Sequence, residues 1–252
     1  MSIDKVQLCN AIRGHYGSDL IDAEEYLRRF IDVEYLLPEP DVESYCKYLY
    51  EYFGFQLFLE DIDRRPYAEF LDDSDRFLKC AKEIVKAKNL SLRQVEKLFV
   101  HARLVLSSCA CNQYVFPQSM LMLVYIRSVD PRFYFQITRK QLSVQEIPDR
   151  IRQIFPTEMF QEPTRYAQKA ALWGLAEIFY CYAQSFERTG RSLEIISEGR
   201  TPDEIKLTFD IDYVDNARLA KAINYNYDRY RGAYWSHIVN AIDLLNPIVE
   251  KE

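Results

Sequence analysis

Read for the alternation of apolar and polar positions, the chain gives one helical stretch after another. Asp4 to His15 carries Val6, Leu8, Cys9 and Ile12 on one side, and Tyr16-Gly17-Ser18 stops it. Asp22 is a good N-cap for a short helix, with Glu25 placed to reach back to the cap amide. There the period changes: Ile31, Val33, Tyr35 and Leu37 alternate with Asp32 and Glu34, the pattern of a half-buried strand, and Pro38 and Pro40 end it. Asp41 caps a helix carrying Tyr45, Leu49, Tyr52 and Phe53, and a further helix runs from near Ser74 to Asn89 around Phe77, Ala81, Ile84 and Val85. Ser91-Leu92-Arg93-Gln94 is a capping box, opening a helix with Leu92, Val95, Leu98, Phe99, Ala102, Val105 and Leu106 at helical spacing.

From Pro117 a very apolar helix continues until Asp130-Pro131 breaks it. Ser143-Val144-Gln145-Glu146 is a second capping box. Thr164 to Thr189 is the longest helical candidate and central to its bundle, with Ala167, Ala170, Ala171, Leu175, Ile178, Tyr182 and Phe186 in register. Lys206 to Tyr213 alternates and competes as a short strand, and closing helices span about Asp215 to Leu245. The expectation is a mostly α protein, a helical bundle with at most a few short strands. Its expected divisions are 1–40, 41–140, and a helical region 141–252 packed on the second.

Composition agrees with helix. Gly accounts for 7 of 252 residues, far below the usual ~7 %. The net charge of −6 disfavours a nucleic-acid platform, although a helical nucleic-acid-binding protein stays open as an alternative. Tyr225 to Arg231 and the pair Arg28-Arg29 mix cations with aromatics, which helical packing explains more commonly than base stacking does. No apolar run is long enough for a membrane span, and Met1 onward lacks a signal-peptide layout. Cys9, Cys46, Cys80, Cys109, Cys111 and Cys181 then read as free thiols, and the expected location is cytoplasmic.

Candidate chemistry is sparse. His15, His101 and His237 have no partner at metal-ligand spacing, so no metal site is expected. There is no Gly-x-Ser-x-Gly, His-Glu-x-x-His or Gly-x-x-x-x-Gly-Lys-Ser/Thr motif, and no catalytic residue is assigned. The run Glu60-Asp61-Ile62-Asp63 invites a cation reading but is more commonly solvated surface, and Asp210 with Asp212, which would share a strand face like a paired-carboxylate site, read more commonly as exposed positions on an edge strand.

The first forty residues carry more. Ile3-Asp4-Lys5-Val6-Gln7-Leu8, then Ile12 to Tyr16-Gly17, then Tyr26-Leu27 leading to Leu37-Pro38-Glu39-Pro40 resemble, in order and spacing, the KAP family of P-loop NTPases. In that family these segments follow the sensor-1 strand, the Leu-Pro-x-Pro strand is the last of the nucleotide-binding core sheet, and a helical lid comes after it. Residues 40–130 look like that lid, and Leu90 to Leu98 is similar to the lid helix whose early arginine, here Arg93, serves as a sensor-2-like residue. The resemblance implies ATP-sensing positions at Lys5, which stands where arginine is common, and at Arg93.

Walker A, Walker B and the sensor-1 strand would precede Asp4. The resemblance therefore implies a non-catalytic lid portion with no cofactor of its own, ATP and Mg²⁺ belonging to a complete family member. KAP-like proteins are linked with membrane-associated complexes and phage exclusion. The alternative is a self-contained helical adaptor of a bacterial or phage conflict system. Ile31, Val33, Tyr35 and Leu37 are the expected docking edge. That edge would pair with Lys206–Tyr213, with its own copy in a homodimer, or with a separate NTPase core.

Overall fold

The computed structural model describes residues 4–17, 22–31, 41–64, 72–161, 169–187, 211–229 and 235–244. It divides the chain into two units, Met1–Pro40 and Asp41–Glu252. All regular elements among the described residues are helical, and none of these residues lies in a strand.

In the first unit, Asp4 accepts the Gln7 N–H and starts α1, Lys5–Tyr16. Gly17 ends it at φ 91°, a backbone conformation that suits a residue without a Cβ. Asp22 accepts the Glu24 and Glu25 amides to cap α2, Ala23–Leu27. The Glu25 carboxylate does not complete the expected box; it lies 3.4 Å from Arg28 instead. Helical bonding persists to Ile31, whose N–H donates to the Leu27 carbonyl. Cys9, Ala23 and Leu27 are buried, with Leu8, Ile12 and Ile31 packed against them. The expected strand beyond Ile31 lies outside the described residues.

The second unit opens with Asp41, which accepts the Glu43 and Ser44 amides and caps α3, Val42–Tyr52. The buried face of α3 is Cys46, Leu49 and Tyr50, while Tyr52 is exposed, against expectation. Short α4, Gln56–Leu59, leads to α5, Asp73–Lys88, which ends on Asn89 in the left-handed region. In α6, Leu92–Ser107, the Gln94 side chain reaches back to the Ser91 N–H. Leu92 stands at the rim of that helix and is exposed rather than core. At the centre of this end, Phe55 and Phe77 have ring centroids 4.5 Å apart, with Phe99 edge-on to both.

Helix α7, Pro117–Val129, is buried along ten successive residues, Pro117 to Ile126, and packs against α5, α6, α8 and α10. Each fully buried aliphatic side chain there contributes about 1.5–3 kcal/mol. Asp130-Pro131 ends α7 as expected but also starts α8, Pro131–Thr138: Asp130 accepts the Phe133 N–H, and Pro131 takes the first position, where its missing donor costs nothing. Helix α9, Glu146–Ile154, follows, with the Glu146 carboxylate accepting the Ser143 N–H. A 3₁₀ turn spans Thr157–Met159.

The long apolar helix is α10, Ala170–Glu187, packed mainly on α7 and α11. It approaches α7 closely at Gly174, where an added Cβ would stand 2.7 Å from Met122 Sδ and 3.0 Å from Gln118 Cβ. Ile211, Asp212 and Tyr213 form a turn before α11, Asn216–Arg229, so this end of the alternating segment is not strand; residues 206–210 lie outside the described set. The chain's last described helix is α12, Trp235–Ile242.

Candidate functional site

Where α5, α7, α10 and α11 meet, a polar cleft of about 340 Å³ opens to solvent. Asp72, at the N-cap of α5, and Asp75, Arg76 and Lys79 within it reach the cleft at i, i+3, i+4 and i+7, a spacing that shares one helix face. Gln118 comes from the first turn of α7, Trp173 from α10 and Tyr225 from α11. The two rings meet edge to face, centroids 5.3 Å apart. Lys79 pairs with Asp75 at 2.6 Å, an exposed i,i+4 bridge worth only a few tenths of a kcal/mol, about 0.3–0.5.

Beneath this cleft lies Glu177, fully buried in an otherwise apolar stretch of α10. Its Oε2 accepts the Ser119 N–H at 3.1 Å, which satisfies one of the amides left unpaired at the start of α7. Its Oε1 has no hydrogen-bond partner, nor has Oε1 of Gln118. Arg76 stands beside it, with Nη1 3.8 Å from Glu177 Oε1 and the guanidinium 6.0 Å from the Tyr225 ring. Burial pushes the Glu177 carboxyl up to about 7, against the opposing pull of Arg76 and the Ser119 N–H. Cys80 and Cys181, both enclosed, have their thiols pushed up by burial and are not poised as nucleophiles.

A second polar cluster holds the end of α12. Arg127 of α7 donates to the Ile242 carbonyl and lies 3.4 Å from Asp243, which also accepts the Tyr134 hydroxyl at 2.9 Å. His101 Nε2 lies 3.3 Å from the same carbonyl, and burial lowers this imidazole, favouring its neutral form. These groups serve carbonyls that a helix C-terminus leaves without partners.

Set against protein-family profiles, curated proteins and solved structures, the chain matches none.

None of the candidate residues Lys5, Arg93 and Ile31 is among the residues lining the cleft. Lys5 is exposed at the first position of α1, and Arg93 is exposed in the first turn of α6; they belong to different units. Ile31 is half-buried, while Val33, Tyr35 and Leu37 lie outside the described residues. Asp212 is exposed and lies 3.1 Å from Arg152; Asp210 is outside the described set. Arg64, just after the exposed Glu60, Ile62 and Asp63, is itself buried and bonded to Asp73 at 2.6 Å. Among the described residues no group of three or more His, Cys, Asp or Glu is arranged for a cation, and no helix is long and apolar enough to cross a membrane. The cleft's Glu177 had a sequence signal, a lone carboxylate among the apolar residues of Ala170 to Tyr182.

Proposed function

We propose that this chain is the non-catalytic, lid-like portion of a KAP-like P-loop NTPase and acts through protein contact, on an NTPase core or on a second copy of itself. The observation that carries this reading is the size of the first unit's core. Among its described residues only Cys9, Ala23 and Leu27 are buried, while Val6 and Phe30 are 70 % and 69 % exposed. So small a core among the described residues supports a reading in which this unit rests on a further surface. Supporting it, the helical bundle forms its own unit from Asp41 onward, directly after the Leu37-Pro38-Glu39-Pro40 segment where the resemblance sets the start of the lid. Arg93 stands exposed in the first turn of α6, accessible to a nucleotide bound by another body.

The alternative reading, a self-contained helical adaptor, has one observation in its favour. Tyr48 and Tyr52 are 54 % and 65 % exposed on α3 and stack in a row with Tyr45, centroids 6.1 and 5.6 Å apart. Exposed stacked tyrosines offer rigid, amphipathic contact area.

Mass in solution over a concentration series, with ATP turnover measured alongside, tests the proposal. The expected result is association that Val33→Pro abolishes by removing a ladder donor, with no turnover by the pure chain. Loss of association in Tyr48→Ser/Tyr52→Ser with Val33→Pro unaffected would favour the adaptor. A strictly monomeric chain that captures no partner, or one that hydrolyses ATP alone, overturns the proposal.

A further inference from the structure

We propose that His101 is an acid-operated release on the end of α12: neutral, it accepts from Arg127 and steadies that arginine on the Ile242 carbonyl; protonated, it sets a second cation against Arg127 and loosens the hold. This does not depend on the NTPase reading. Helix α12 is only 8 residues long, with Trp235, Ile238, Ala241 and Ile242 buried. A helix C-terminus leaves its last carbonyls without a following turn to serve them. At Ile242 a side chain of α7 takes that part: Arg127 Nη1 donates to the carbonyl and stands 3.3 Å from His101 Nε2. A guanidinium can only donate, so the ring nitrogen facing it has to accept. That places the imidazole proton on Nδ1 and leaves the ring uncharged. Nε2 is also 3.3 Å from the Ile242 carbonyl. A proton added there makes His101 a second donor to an oxygen that Arg127 already serves, and it brings two cations together in a half-buried site.

Among the described residues, the charged groups that act on His101 are Arg127 of α7 and Asp243, just past α12. Asp243 also accepts the Tyr134 hydroxyl of α8 at 2.9 Å and lies 3.4 Å from Arg127. On α6 itself, Lys97 stands one turn earlier and is exposed, and Arg103 faces α3, where it donates to the Phe53 carbonyl. Helix α10 meets the opposite end of α12, with Tyr182 edge-on to Trp235. Burial, with Arg127 adding to it, lowers the imidazole from its ordinary 6.5, against the opposing pull of the Ile242 carbonyl and Asp243. A lowered folded-state value means the group's contribution to stability is full above 6.5 and is lost as pH falls through the folded value. The hold on α12 is therefore complete at neutrality and weakens on mild acidification.

The experiment is an NMR titration of the three imidazoles between about pH 5 and 8, with amide exchange and thermal melts on the same samples. His101 is expected to carry its proton on Nδ1 at neutral pH and to titrate with a midpoint below 6.5. The Asp243 and Leu244 amides, which close the last turn of α12 on the Val239 and Ala241 carbonyls, should exchange faster below that midpoint relative to the amides of α5. His101→Gln keeps an acceptor for Arg127 but cannot titrate. It should remove this acid response and hold its Tm better than the wild type as pH falls, whereas His15→Gln, at an exposed position of α1, leaves the response in place. Arg127→Gln, which takes away the neighbouring cation, should move the His101 midpoint upward. Should a variant fail to fold, the wild-type titration and exchange decide alone. A His101 midpoint at or above 6.5, a proton on Nε2 at neutral pH, or an α12 end that exchanges no faster in acid overturns the release.

Discussion

Arg64 is the bulkiest charged side chain enclosed by the bundle among the described residues. It donates to Asp73 Oδ2 at 2.6 Å and to the carbonyls of Cys111 and Gln113 at 2.7 and 3.1 Å, with its guanidinium 4.7 Å from the Phe58 ring. Those two carbonyls belong to the irregular stretch between α6 and α7, where no helical N–H serves them. The arginine thus ties the chain before α5 to that connection. Replacing it with an apolar residue leaves Asp73 charged in a dry site and the carbonyls without their donor. Arg64→Met is expected to cost about 3–5 kcal/mol in urea denaturation, and adding Asp73→Leu should recover much of it, since replacing both members of a buried pair is far cheaper than stranding one. A double variant as unstable as the single one would mean that the carbonyl bonds, and not the ion pair, dominate.

Among the helices, α10 depends on a cap from another element. Its first amides, Ala170 and Ala171, donate to Glu83 of α5 at 3.0 and 2.9 Å, so a carboxylate 87 residues away in sequence does the work of a local Asp or Ser. Burial raises the Glu83 carboxyl and the two amides oppose that shift. Glu83→Ala is expected to cost about 1–3 kcal/mol by stranding the donors, with faster hydrogen exchange at Ala170 and Ala171; Glu83→Gln, which keeps one acceptor, should lose less. Local caps were legible in the sequence for the opposite reason: Asp41, Ser91 and Asp22 act within three residues of themselves. The helix at Pro131 was missed because Asp-Pro reads as a break and as a start alike. Leu92 and Tyr52 matched the helical period yet face solvent, since periodicity finds an apolar stripe but not its edges. Of the cleft, only the lone carboxylate Glu177 in an apolar run left a mark in the sequence. The cleft's side chains come from residues as far apart as Asp75 and Tyr225, and no local pattern records which helices will meet.

At the scale of the molecule, the two units differ in what they can sustain. Among the described residues, the buried apolar side chains of the main core run from Cys46 onward, and the half-buried ones packed on it begin at Val42. The first unit's own core is Cys9, Ala23 and Leu27 among its described residues. Residues 41–252 are therefore expected to fold when produced without residues 1–40, with helical circular dichroism and a single cooperative melt within a few degrees of the full chain. Residues 1–40 alone are expected to be largely unstructured, because α1 and α2 are below the length at which isolated helices persist in water, about 12–15 residues, or barely reach it. The pair of experiments bears on the proposed function as well. A lid whose attachment segment is unstable by itself should gain order from the body that segment docks on, so the spectrum of the 1–40 peptide should become more helical on adding that body. If the 41–252 bundle instead unfolds on removal of the first forty residues, those residues are part of its foundation. The small unit is then satisfied within the chain, and the need for a partner disappears.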